Sequence, residues 1–151
     1  MPDMNKDKYL KLMADIPFFK EMDQAEREDL LTFENHWMEF KPKEKILNEE
    51  EVDYGFFVLL EGQVSVMRSK PAEVSLAQLV AGAIFGEITM KAKRPRSSSI
   101  EADEEVTVFK VDGQLIDKLN PKMVIKIKDQ IIDLVITRLD EVNNRLSSFI
   151  R

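Results

Sequence analysis

The chain has 151 residues, 44% of them hydrophobic and 33% charged, enough for one domain with its own core. Its formal charge of −6 excludes a nucleic-acid surface as the main business of the chain, because such surfaces need a basic field to displace counterions. Cysteine is absent, which excludes disulfides, thiolate nucleophiles and zinc-thiolate sites, and no stretch approaches the roughly 20 apolar residues of a membrane span. Together with the scattered charges of the first residues, this predicts a soluble, cytoplasmic protein.

Tyr9, Leu10, Met13 and Ile16 recur at helical spacing until Pro17 interrupts, and Asp23 to Glu26 has the form of a capping box before Leu30, Leu31 and Phe33. From about His36 the period changes to two, with Trp37, Glu39 and Lys41 alternating with His36, Met38 and Phe40. Strand-like runs follow at 45–48, 56–60, 64–68, 74–79, 97–102 and 106–111, punctuated by Pro42, Gly55, Gly62, Pro71 and Gly82. Many short strands at such spacing predict a mainly β, α+β fold, a small antiparallel barrel or jelly roll. Helices return over 112–119 and, after Asn120-Pro121, in one long segment to the end. One domain over 1–151 is expected, with N-terminal helices over 1–34, the barrel over 35–111 and C-terminal helices over 112–151.

The most specific chemistry lies between Phe85 and Ala102, FGEITMKAKRPRSSSIEA. Phe-Gly-Glu leads into a short helical turn whose free backbone N–H groups favour an anion, and Gly86 permits close backbone approach. Arg96 offers a planar fork of donors suited to phosphate oxygens, and Ser97, Ser98 and Ser99 add hydroxyls. Glu87 would repel a bare phosphate, so it belongs in this cradle as an acceptor for hydroxyls, as a ribose supplies. The combination points to a nucleotide. The nearby Lys91, Lys93 and Arg94 either steer an anion to the cradle or form a solvated basic loop. Taken singly, Gly86 is also explained as a turn, Glu87 as an acid at a helix start and Arg96 as a surface charge. Their joint spacing is not.

At Phe85, Gly86, Glu87, Ile88, Pro95, Arg96, Ser97, Ser98, Ser99, Ile100 and Ala102 the chain resembles the phosphate-binding cassette of the cyclic nucleotide-binding domain family. Ile16-Pro17-Phe18-Phe19 is similar to the turn between that family's N-terminal helices, and FFVLLEGQVSV over 56–66 to its strand, glycine turn and following strand. The resemblance implies that Arg96 and the backbone at the start of the short helix hold the cyclic phosphate while Glu87 takes the ribose 2′-hydroxyl. The ligand-binding set it implies is Phe85, Gly86, Glu87, Ile88, Thr89, Arg96, Ser97 and Ser98. The chain departs from the family at Pro42-Lys43-Glu44, where Pro-Gly-Glu is usual, and at Asn48-Glu49-Glu50-Glu51, where Glu-Gly-Glu is usual. Those lost glycines bear on local turn geometry and on one wall of the pocket.

In the last helix Ile132, Val135, Leu139, Val142, Leu146 and Phe149 step by three and four, the seam of a coiled coil, and a partner helix is expected. Upstream the apolar face broadens to Val124, Ile125, Ile127, Ile131, Leu134 and Ile136. In the family's bacterial activators a similar helix forms a dimer and reaches the purine, which makes Arg138, Asn143 and Asn144 further candidates for the base.

The function expected is a cyclic-nucleotide sensor with no chemistry of its own, relaying occupancy through the C-terminal helices as a homodimer. Relatives with Ala after the cassette arginine resemble cAMP binders and those with Thr cGMP binders. Ser97 lies between, and the similarity to bacterial activators favours cAMP. The alternative is a ligand-blind dimerisation or docking module of the same fold. A metal-dependent jelly-roll enzyme needs several histidines, and His36 is the one histidine here, read as a structural residue on a strand. No catalytic residue, metal or cofactor is expected. Without a helix-turn-helix before Arg151, neither is nucleic-acid binding, so the output passes to an unidentified protein.

Overall fold

The computed structural model describes residues 5–49, 51, 55–69, 73–86 and 98–150. Its contacts divide the chain into two units, 1–118 and 119–151. In the first, helices α1 (Lys6–Ala14) and α2 (Gln24–Leu31) precede eight strands. These are β1 (Trp37–Phe40), β2 (Lys45–Leu47), β3 (Phe56–Glu61), β4 (Gln63–Arg68), β5 (Val74–Val80), β6 (Ile84–Phe85), β7 (Ser99–Ala102) and β8 (Val106–Val111). Helix α3 (Gly113–Lys118) follows, and α4 (Pro121–Ile150) lies in the second unit.

The strands form two antiparallel four-stranded sheets, ordered β1-β8-β3-β6 and β2-β7-β4-β5, in the jelly-roll manner. They do not close into the barrel that strand spacing alone allowed. Within the first sheet β3 is buried on both faces. Along β3, Phe57 and Leu59 point into a core shared with Val108 of the adjacent β8 and with Leu47, Val64 and Ile100 of the opposite sheet, while Phe56 points the other way.

On that other face the 3-10 turn Pro17–Phe19, which links α1 to α2, builds an aromatic cluster with the sheet. Trp37 stacks on its register partner Phe109 at 4.2 Å, Phe19 lies 5.9 Å from Phe109, and Phe18 lies 6.0 Å from Phe56. The indole Nε1 of Trp37 donates to Leu30 O at 3.0 Å, so the buried ring leaves no polar atom unpaired. Truncating one such ring costs about 3–5 kcal/mol, against about 1 for a helix cap, so aromatic packing dominates the docking of these helices. Tyr9 completes the cluster, and burial together with its 3.0 Å bond to Glu39 pushes its phenol up to about 12.

Local chemistry sets the boundaries. The expected capping box is formed, with Glu26 N donating to Asp23 Oδ1 at 2.8 Å and Asp23 N to Glu26 Oε1 at 3.0 Å. Asp112 is the cap of α3 rather than its first residue, since its Oδ1 accepts from Leu115 N, and Asn120 caps α4 through Met123 N. His36 is displaced from the strand expected for it. It ends a 3-10 turn (Glu34–His36) just before β1, where its Nδ1 bonds Lys110 O at 3.0 Å.

Gly62, between β3 and β4, has φ +93, and a Cβ there would lie 2.5 Å from Glu105 O. Only a glycine fits that approach. Lys43 is the opposite case: it takes φ 71 without being a glycine, at the position where the resembled family carries one. The turn here is thus left-handed without a glycine. Lys43 N donates to Ala102 O at 2.7 Å and Ala102 N to Glu44 O at 2.9 Å, which fastens the turn to the end of β7. A side chain in the left-handed region is strained, so Lys43→Gly is expected to stabilise the protein by about 0.5–1 kcal/mol and raise Tm by about 1–4 °C. A lower Tm in thermal denaturation would show that the turn carries no such strain.

Candidate functional site

The cassette joins the two sheets. It leaves the first sheet at Phe85 on β6 and returns at Ser99 on β7 of the second. Phe85 is 4% exposed and stacks on Phe57 with ring centroids 5.4 Å apart and planes 12° from parallel. Gly86 follows with φ 84, a left-handed conformation that suits glycine and turns the chain off the strand. Glu87, Ile88, Thr89, Arg96 and Ser97 lie outside the described residues, as do Lys91, Lys93 and Arg94. Ser98 is half-buried at the cassette's return, and Ser99 is buried with its hydroxyl 3.4 Å from Met67 O. Ile100 and Ala102, which complete the motif, are core residues.

Beside that return the second sheet presents an apolar wall that sequence reasoning did not assign to the site. Ile100 pairs with Val66, and Val66 with Ala77, giving a row across β7, β4 and β5 on the inner face. Val66 and Leu79 are only partly buried against the core, and Ala77 is exposed. Strand alternation in FFVLLEGQVSV was the available signal, but it does not say which inward residues stay uncovered. The wall offers apolar surface next to the polar cassette. That combination suits a ligand with a flat apolar part and an anionic part.

The second departure from the family has a local solution too. Glu49 accepts from Ser69 N at 2.7 Å and from Ser69 Oγ at 2.9 Å, and Asn48 Nδ2 donates to Glu51 Oε1 at 2.9 Å. The segment after β2 is thereby tied to the end of β4. Away from the cassette, a cleft of about 290 Å³ is lined by Glu39, Glu44, Glu61 and Glu105 together with Lys8 and Lys41. Its excess of carboxylates is the wrong chemistry for a phosphate.

In the second unit α4 runs for 30 residues, about 45 Å at 1.5 Å per residue. Every residue of the expected seam is exposed, from Val135 at 44% to Phe149 at 85%. Of the broader upstream face, Ile127 is buried, whereas Ile125 and Ile136 are also exposed. Arg138 is half-buried, and loss of solvent lowers its pKa against the opposing pull of Glu141. Asn143 and Asn144 are exposed. Among the described residues no group of His, Asp and Glu is placed to hold a metal ion, and no helix is long and apolar enough to cross a membrane.

Residues 37–120, more than half of the chain, match the family model described as the cyclic nucleotide-binding domain. The chain belongs to that family. It is 31% identical over 101 residues to the cAMP-dependent protein kinase type II regulatory subunit of Drosophila melanogaster, a match covering 62% of this chain and 25% of that protein. It thus spans about a quarter of the length of that curated relative. Among solved structures, a cyclic nucleotide-binding domain from Methylobacillus flagellatus superposes with a TM-score of 0.70 at 21% identity, covering 93% of this chain and 81% of the other. The Catabolite Activator Protein of Thermus thermophilus does so with 0.71 at 20% identity, covering 87% and 62%. These two likenesses concern the fold.

The Glu49 contact makes a pH prediction. Hydrogen bonds from the Ser69 backbone and then its hydroxyl hold the Glu49 carboxyl below its ordinary value of 4.5. A carboxylate depressed in the folded state stabilises above its unfolded pKa and loses that contribution as pH falls through the folded one. The tie's full contribution should therefore be present above about pH 4.5 and be lost only as pH falls through the lower folded-state value. In an NMR titration Ser69→Ala removes the hydroxyl bond and keeps the larger backbone one, so the Glu49 midpoint should rise part of the way toward 4.5; an unmoved midpoint would dissociate the shift from the Ser69 hydroxyl.

Proposed function

We propose that this domain is a regulatory sensor that binds a cyclic purine nucleotide, cAMP in preference to cGMP, and performs no chemical step. The observation that carries the reading is the complete cassette motif inside a chain of this family, with its two ends held on opposite sheets. Arg96 takes the cyclic phosphate, Glu87 the ribose 2′-hydroxyl, and the backbone from Gly86 through Thr89 the remaining phosphate oxygens, with Ser97 and Ser98 beside them. Phe85 and Ile88 anchor this arc on its apolar side. The wall at Val66, Ala77 and Leu79 receives the apolar part of the ligand. The cAMP preference is supported by the name of the curated relative, a cAMP-dependent kinase regulatory subunit.

Occupancy is relayed through α3 and α4, whose repositioning a partner protein reads. Two copies associate along the α4 seam, whose apolar side chains are otherwise left in water. Arg138, Asn143 and Asn144 on that helix are the groups offered to the base. The protein acts in the cytoplasm, and neither nucleic acid nor membrane is among its partners.

Calorimetric titration with cAMP and cGMP tests the site. Charge-assisted bonds of roughly 1.5–3 kcal/mol each predict that Arg96→Ala weakens binding at least about tenfold. Equal affinity in the variant would remove Arg96 from the site, and no binding by folded, ligand-free wild type would favour a ligand-blind docking module. Glu87→Gln should cost the ribose form more than its 2′-deoxy analogue; matched losses would remove the ribose role. For the association, Leu139→Lys should shift a dimer to monomer in sedimentation equilibrium, and a monomeric wild type would overturn it.

A further inference from the structure

We infer that Phe57 is a positioning residue for the cassette, acting through Phe85; the inference rests on the nucleotide reading above. Phe57 is the middle member of a row across three strands, with Lys110 of β8 on one side and Phe85 of β6 on the other as its register partners. Its ring stacks on Phe85 at 5.4 Å, and Lys110 Nζ lies 5.7 Å from the Phe57 centroid. Both rings are nearly fully buried, at 2% and 4% exposure. A stacked pair and a cation over a ring are attractive beyond the area they bury, and both depend on the orientation of the ring.

The position of this row gives it a functional role. β6 is an edge strand attached to β3 by two residue pairs, Phe57 with Phe85 and Val58 with Ile84. Just upstream, Gly82 N donates to Leu59 O at 2.8 Å and Leu59 N to Ala83 O at 2.9 Å, so the backbone is well fastened before the strand begins. Downstream, Gly86 turns away at once and carries no side chain. Phe85 is therefore the last side chain holding the chain to the sheet before Glu87. With only two pairs in the strand, the direction in which the chain departs depends on how the Phe85 ring is seated. Phe57 provides that seat, and Lys110 holds Phe57 from the adjacent strand β8. A leucine at 57 keeps the apolar burial and loses the flat face.

The test compares wild type, Phe57→Leu and, as a control for lost stability, Met13→Ala, which truncates a fully buried side chain on α1. Each is titrated with cAMP, and amide exchange over 86–98 is followed in the ligand-free proteins relative to β8. Phe57→Leu should weaken cAMP binding about threefold to tenfold and speed exchange over 86–98 by a similar factor. Met13→Ala should lower Tm with affinity unchanged. Lys110→Met should shift both readouts in the same direction as Phe57→Leu, by less. Affinity within twofold of wild type in Phe57→Leu, or an equal loss in Met13→Ala, would overturn the positioning role. If wild type binds no cyclic nucleotide, the nucleotide reading fails by itself, and unchanged exchange over 86–98 in Phe57→Leu would then overturn the positioning role separately.

Discussion

The two-sided burial of β3 is the constraint on which the rest depends. Five consecutive apolar residues, Phe56 to Leu60, are each almost fully buried, so both faces of this strand need cover. On one face the cover comes from the N-terminal helices through Phe18; on the other it comes from the opposite sheet and from the ring of Phe85. Adjacent phenylalanines thus serve two different structures. Phe56 secures the helices, and Phe57 secures the start of the cassette. A one-residue slip of β3 would exchange the two faces and break both, which is why its register with β8 and β6 is so strongly determined.

The same economy governs the turns around the cassette. Its far end, at Ala102, is fastened by backbone hydrogen bonds to the turn containing Lys43. That turn keeps a left-handed residue where a glycine would rest more easily. The protein tolerates a strain of order 1 kcal/mol there because the surrounding bonds define the backbone more strongly than the side chain resists it. A carboxylate from Glu49 similarly fastens the end of β4 through Ser69. Departures from the family pattern are therefore met by local substitutions in kind, leaving the frame of the site standing.

Membership of the cyclic nucleotide-binding domain family accounts for this frame as a holder for an anionic ligand. The two units divide the tasks that the proposed function requires. In that proposal the phosphate and ribose fall to the cassette between the sheets, and the association falls to the exposed apolar seam of α4. A seam with six exposed large apolar residues is costly to leave in water, which is why the proposed association is placed on this helix.

Much of this was legible in the residues themselves. The capping box at Asp23 and Glu26, the strands around FFVLLEGQVSV and the helical period of α4 are local signals, written in spacings of two, three and four that backbone geometry imposes. The cassette motif was legible for a similar reason, since phosphate and ribose demand particular residue types close together in sequence. Tertiary structure decided what involves partners distant along the chain. It made two open sheets of strands that could have closed into a barrel, and it moved His36 off the strand into a turn that bonds Lys110 O. It recruited the two residues of Ile84 and Phe85 as a strand too short to carry a period. It also selected Val66, Ala77 and Leu79 as the uncovered part of an apolar face. Alternation tells which residues share a face, but only the packing of the opposite sheet determines which of them remain open to a ligand.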